Sequence, residues 1–504
     1  MKKVASVIVP VISLDRKAPR PLHRQVYDGY RAAILNGTLE AGQRVPSTRV
    51  LAAELGVSRI PILSAYAQLI AEGYLESRVG AGTIVSSSLT NKTKTPELAS
   101  TRPTKRVVRI GQCAKAISLP RFLRLGSWQR TRGAFWVGQV PYDEFPFRIW
   151  NSLVARRCRN LSENSLNYED PMGARDLRQA IGVYLRTARG LKCDVEQIMI
   201  VNGSQQALEI TVRVLLSPGD PVWMEEPGYT FARSIFSLNR CRIVPVPVDG
   251  EGLNVARGIQ QCRDARAALV TPSHQYPLGV TMTATRRIQL LDWAERCGAW
   301  IIEDDYDSEF RYESMPIACL QGLDRNSRVV YIGTFSKVVF PSLRLGYLVI
   351  PSDLVDHFLA VRFAMDIGSA SFHQGVLADF ICEGHFSRHI RRMRSLYSER
   401  RALLMASLQE YLDPNLAVTG AQAGMHLTVT LKGICDRVIA TQAARQNLWL
   451  APLSTSYAGG RARQGFILGF GSTTVADIPA AVRTLRDVLE ANARLTSPGL
   501  LATS

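Results

Sequence analysis

Apolar residues first recur with helical spacing between Leu22 and Leu35, where Val26, Tyr30, Ala33 and Ile34 fall on one face. Asn36-Gly37 stops that run. Gly42 and Pro46 then mark a turn, and Ser47 is placed to cap a helix running through Leu55, with Gly56 as its terminator. Ser58 is the corresponding cap of a third helix reaching about Glu72, which Gly73 ends. Two short strand patterns follow, Tyr74 to Ser77 and Gly82 to Val85, flanking Arg78-Val79-Gly80-Ala81 as a hairpin does. Three helices and a hairpin, with only Gly56-Val57 between the second and third helices, predict a winged helix-turn-helix.

The pattern then lapses. Ser86 to Pro96 has no apolar period and reads as a linker. From about residue 136 helical patterns alternate with β-rich runs such as Ile198 to Val201, Ala268 to Val270, Trp300 to Ile302 and Val329 to Ile332. That alternation predicts an α/β domain with a mainly parallel sheet. The expected organisation is a winged helix over 1–88, a basic linker over 89–135 and an α/β body over 136–504. No internal repeat is visible. The apolar run from Val4 to Leu14 follows two lysines, but Pro10 interrupts it and no small-x-small site appears. A short strand is the expectation there.

Charge sharpens this division. The chain carries +18 in 504 residues. Residues 1–85 hold +5 and residues 86–132 hold +10, so the remaining 372 residues hold only +3. A basic front end on a near-neutral body points to a polyanion partner at that end. No stretch approaches about 18 uninterrupted apolar residues, the length of a membrane-spanning helix. The nine cysteines are odd in number and contain no C-x-x-C pair, which excludes a disulfide framework and a zinc ribbon and fits a reducing cytoplasm.

The string Arg44-Val45-Pro46-Ser47-Thr48-Arg49 through Leu55-Gly56-Val57-Ser58-Arg59, with Ala71-Glu72-Gly73-Tyr74 to Thr83, resembles the GntR-type winged helix. The resemblance implies that the third helix enters a DNA major groove and that the hairpin touches the backbone or the minor groove. Arg44, Ser47, Arg49, Ser58, Arg59, Arg78 and Thr83 are then the expected DNA contacts, the helix start at Ser58-Arg59 favouring a phosphate. One departure stands out: Ile60-Pro61-Ile62 follows Arg59 where the family usually continues with Asn-Thr. Proline is tolerated in a first helical turn, but two polar contacts are gone.

In the body, Thr334-Phe335-Ser336-Lys337 precedes Pro341-Ser342-Leu343-Arg344-Leu345-Gly346-Tyr347. Upstream lie Glu303-Asp304-Asp305-Tyr306-Asp307, Asn202-Gly203-Ser204-Gln205, Glu226-Pro227-Gly228-Tyr229 and Ser273-His274-Gln275-Tyr276-Pro277. In this order they resemble the fold-type I aminotransferases, which bind pyridoxal 5′-phosphate. The resemblance implies that Lys337 forms the Schiff base with the cofactor aldehyde, and that Asp304 pairs with the ring nitrogen and sustains the ring as an electron sink. Asp305, one residue on, points the other way by strand alternation. Tyr306 is expected at the phenolic oxygen and Tyr229 stacked on the ring. Gly203, Ser204 and Gln205 open a helix whose N–H groups suit a phosphate, with Thr334, Ser336 and Arg344 completing the cup. His274 is expected to orient the cofactor, and stands where the family has an Asn-Pro pair. Tyr168 matches a family tyrosine that reaches the phosphate of a neighbouring subunit, which implies a homodimer. Either Arg461 or Arg463 could anchor a ligand carboxylate. No metal site is expected.

A GntR-type winged helix joined by a basic linker to an aminotransferase-like body resembles the MocR subfamily of regulators. That resemblance implies a double-stranded DNA partner and a body that senses an amino compound, or pyridoxal phosphate itself, through Lys337. The alternatives are an active aminotransferase with an accessory DNA module and a plain DNA-binding protein with an inert body.

Overall fold

A computed structural model of the chain describes residues 14–78, 82–89, 133–161, 167–312, 317–413, 416–459 and 461–496. The expected strand at Val4–Leu14, but for Leu14, and nearly all of the 89–135 segment lie outside them. The chain divides into two compact units, 1–109 and 110–504.

The first unit follows the predicted order: α1 (Leu22–Leu35), α2 (Thr48–Glu54), α3 (Arg59–Ala71), then β1 (Leu75–Arg78) paired antiparallel with β2 (Gly82–Val85). Val26, Tyr30, Ala33 and Ile34 of α1 are buried against Leu51, Ile62, Tyr66 and Leu69. The Tyr66 hydroxyl donates to the Pro46 carbonyl and meets the Tyr30 hydroxyl, both at 3.0 Å, so the two buried phenols are satisfied. Ser47 caps α2, its Oγ accepting from the Val50 N–H at 3.4 Å. Ser58 occupies the cap position of α3 in extended conformation, but its side chain makes no capping bond. The first wing strand starts and ends one residue later than the pattern suggested, bringing Arg78 into it.

In the second unit, α4 (Phe147–Arg159) and α5 (Arg175–Arg189) lead into the main sheet. β3 (Ile198–Val201) is followed by α6 (Ser204–Leu215), β4 (Pro221–Glu226), β5 (Arg242–Asp249), β6 (Gly252–Leu253), β7 (Ala267–Val270), β8 (Trp300–Asp305), β9 (Val329–Thr334) and β10 (Gly346–Val349). The eight strands lie in the order β3-β10-β9-β8-β7-β4-β5-β6. Pairs β5–β4–β7–β8–β9 are parallel, while β10 runs antiparallel to both its neighbours. These strands read as unbroken apolar runs because both faces are covered. Ile200, Tyr331 and Tyr347 enter one core, and Val201, Ile302, Ile332 and Leu348 enter the other. A smaller antiparallel sheet follows, β11 (Ala417–Thr419), β12 (His426–Thr430), β13 (Ala451–Pro452) and β14 (Gly465–Gly469), in the order β11-β12-β14-β13. Ala134 and Phe135 already pack into this unit. Ala134 exchanges backbone bonds with Asn447 and Trp449, and Phe135 is fully buried.

Candidate functional site

The carboxyl ends of parallel strands open onto a crevice where α/β sheets hold ligands. Here β8 ends in three consecutive buried acids, Glu303, Asp304 and Asp305. Strand alternation separates them. Asp305 turns to the Tyr331 hydroxyl, which donates to it at 2.6 Å, and to the Arg189 guanidinium. Asp304 turns the opposite way, and its Oδ1 has no hydrogen-bond partner. Burial, reinforced by the charges of Asp305, Glu225 and Asp307, pushes the Asp304 carboxyl up to about 7. Nearby Lys337 acts against that rise.

Lys337 lies three residues beyond the end of β9 and is half-buried. Burial lowers its ammonium from the ordinary lysine range, with Asp307 and Asp304 opposing. Its Nζ donates to the Gly138 carbonyl at 3.0 Å. Gly138 has φ +75, a conformation that favours glycine, and its lack of a side chain lets the backbone approach Nζ closely.

Gly203, with φ +92, sits at the start of α6, whose first N–H groups lack helical partners. Arg344 reaches across from the chain before β10 and donates to the Asn202 carbonyl at 3.0 Å. A Cβ on Gly203 would stand 3.3 Å from its guanidinium. Thr334 Oγ1 accepts from the Ser336 N–H at 3.2 Å, shaping the turn that carries Lys337. Gln205 donates to the Tyr229 hydroxyl at 3.4 Å, and burial raises that phenol above its ordinary range. Ser204 heads the helix itself.

Beside Asp304 a polar network joins three loops. His274 Nδ1 lies 3.1 Å from both Asp307 oxygens and from the Tyr306 hydroxyl, which donates to the His274 carbonyl at 2.9 Å. Tyr306 is therefore held by His274. Asp307 also accepts from the Met425 N–H. His426 stacks obliquely on His274 at 4.8 Å and contacts the Pro277 carbonyl at 3.0 Å. Burial and the His274 neighbour push it down to about 3, so it is neutral. Ligating atoms of His274, Asp307 and His426 lie within 4.8 Å of one another, but the bonds just given already engage a ring nitrogen of each histidine and both Asp307 oxygens. On the far side, Glu225 accepts from Thr271 Oγ1 at 2.7 Å and from Gln275 Nε2 at 3.0 Å, and burial pushes it up to about 7. The Tyr276 ring lies 5.7 Å from that of Tyr229 and 6.2 Å from that of Tyr306. Sequence reasoning gave no role to Gly138, Glu225, Tyr276, Asp307 or His426.

The remaining expected residues lie largely at the surface. Tyr168 is 84% exposed. Arg461 and Arg463 are exposed before β14, and Arg463 donates to the Tyr457 hydroxyl at 2.9 Å. In the winged helix, Arg44, Ser47, Arg49, Ser58, Arg59 and Arg78 are exposed and Thr83 is half-buried. Arg44 lies against Gly82 of the wing, Arg59 donates to Thr48 Oγ1 at 3.0 Å, and Arg78 pairs with Glu76 at 3.3 Å.

An unpartnered buried carboxylate, a half-buried lysine near it and a helix N-terminus flanked by an arginine fit a phosphorylated pyridine aldehyde at its ring nitrogen, its carbonyl and its phosphate. The fold and site define an aminotransferase-type, pyridoxal phosphate-binding domain carried with a winged helix. Residues 137–463 match the aminotransferase class I and II family, and residues 22–85 match the bacterial regulatory proteins of the gntR family. The chain is 38% identical to the probable rhizopine catabolism regulatory protein MocR of Rhizobium meliloti, over 97% of this chain and 98% of that one. It is 31% identical to the pyridoxine biosynthesis transcriptional regulator PdxR of Corynebacterium glutamicum, over 92% and 94%. Its body is similar to the kynurenine aminotransferase of Pyrococcus horikoshii solved with PMP, with TM-score 0.71 and 26% identity over 76% of this chain and 97% of that one. The chain belongs to the MocR-type family of GntR transcriptional regulators, whose body is an aminotransferase class I and II domain.

Proposed function

We propose that this regulator senses a primary amine, or pyridoxal phosphate itself, at Lys337 and relays its occupancy to the winged helix. The observation that carries the reading is an unpartnered, buried Asp304 Oδ1 within electrostatic reach of Lys337, on a chain that also carries a gntR-family winged helix. When bound, the cofactor supplies an aldehyde for amine exchange and a ring that withdraws electrons. The protein's part is positional. Asp304 offers a carboxyl oxygen without another partner to the ring nitrogen. Desolvation lowers the Lys337 ammonium from the ordinary lysine range, the direction that favours a nucleophilic amine, while the Gly138 carbonyl accepts from its Nζ. Tyr306, held by His274 and Asp307, presents a hydroxyl beside the ring. Gly203, Ser204, Gln205, Thr334, Ser336 and Arg344 hold the phosphate.

The exposure of Tyr168 supports a homodimer in which this side chain serves the neighbouring body. Two winged helices would then meet paired half-sites on DNA, in the cytoplasm. Ligand occupancy regulates only by favouring one arrangement of these parts over another. Footprinting the DNA upstream of this gene with and without pyridoxal phosphate and candidate amines tests the reading. Protection that changes with ligand supports it. Ordinary aminotransferase turnover, with protection indifferent to every amine and vitamer, overturns it in favour of an enzyme.

A further inference from the structure

Helix α3 carries an outward stripe that the contacts above leave unused. Ile62, Ala65, Tyr66 and Leu69 turn into the core. Ile60, Leu63, Ser64 and Ala67, spaced as one helical face, are exposed. Ile60 is 75% exposed and Leu63 45%. Charged groups frame this stripe and do not lie on it: Arg59 is engaged with Thr48, and Arg44 lies at the wing. A face with one hydroxyl and three apolar side chains has little with which to read the hydrogen-bonding edges of bases. The apolar feature of the major groove is the C5-methyl group of thymine.

We propose that Ile60 and Leu63 read thymine methyl groups, so that this chain selects half-sites bearing A·T pairs at the bases facing the start of α3. The inference rests on α3 being the helix that enters the groove. The surrounding arginines supply charge complementarity to the phosphates on either side, and the stripe between them is left to face bases.

The DNA upstream of this gene, amplified once with dTTP and once with dUTP, gives two duplexes differing only in those methyl groups. Binding of the full chain to each is measured by fluorescence anisotropy at one salt concentration. The uracil duplex is expected to bind more weakly, by about fourfold for each methyl contacted, the worth of one buried methylene. The double substitution Ile60→Asn with Leu63→Asn is expected to abolish the difference. Arg44→Ala weakens both duplexes by the same factor. Equal affinity of the unaltered chain for the two duplexes overturns the inference while leaving DNA binding intact. A difference that survives the double substitution overturns the assignment to these residues. Failure to bind either duplex overturns the placement of α3 on DNA, and the inference with it.

Discussion

Replacing Asp304 by asparagine should make the cofactor-free protein more stable and the cofactor-bound protein worse at its task. Burial and neighbouring charges raise this carboxyl from 3.8 to about 7. A shift of about three units corresponds to about 4 kcal/mol at 1.36 kcal/mol per unit. The folded-state value lies above the unfolded one, so between the two the folded chain holds more protons than the unfolded chain. The stabilising contribution is therefore complete below the unfolded value and is lost as pH rises through about 7. Asp304→Asn keeps the shape and removes the ionisation. Glu225, also raised to about 7, is one of the charges that raise Asp304, so the variant relieves that interaction as well. Urea unfolding of both cofactor-free proteins across pH is the assay. At pH 8 the variant should exceed the parent by up to about 4 kcal/mol, the gap shrinking toward zero near pH 4. The same variant should bind pyridoxal phosphate more weakly, because a neutral amide offers no charge to the ring nitrogen. A variant equal to or less stable than the parent at pH 8, or a gap independent of pH, would refute the reasoning.

Two further outcomes follow from other parts of the chain. Gly203→Ala forces a side chain onto φ +92 and to 3.3 Å from the Arg344 guanidinium. It should cost about 1 kcal/mol or more in thermal unfolding and weaken cofactor binding in a fluorescence titration. Arg44→Ala should flatten the dependence of log affinity on log salt by about 0.9, the contribution of one phosphate contact on duplex DNA, with little change in preference among sequences; an unchanged slope in a salt titration would place Arg44 away from the phosphates.

Local chemistry made much of this fold legible. The α1 stripe, the Ser47 cap and the Gly56 and Gly73 stops are decided within a few residues, and the structure has them where the pattern puts them. Strand alternation sufficed to set Asp304 and Asp305 on opposite faces, because one residue's step in a strand is a half-turn. Ser58 was legible as a cap position but not as a capping bond, which depends on a rotamer. What stayed hidden is long-range. Gly138 meets Lys337 across 199 residues of chain, and nothing near Val137-Gly138-Gln139 marks that approach. Asp307 lay inside the quoted acidic run, but its partners His274 and Met425 come from other loops. The exposure of Arg461 and Arg463 was equally invisible, since a pair of arginines before a strand reads the same whether it faces a cleft or water.

The central claim is that Lys337 holds the cofactor covalently within the buried site, opposite Asp304. Borohydride reduction of the purified protein after incubation with pyridoxal phosphate, followed by peptide mass spectrometry, tests it directly. The account predicts a phosphopyridoxyl group on the peptide containing Lys337, with loss of the visible absorbance band and no label in Lys337→Ala. A protein that stays colourless and unlabelled, or one labelled equally after that substitution, would contradict it.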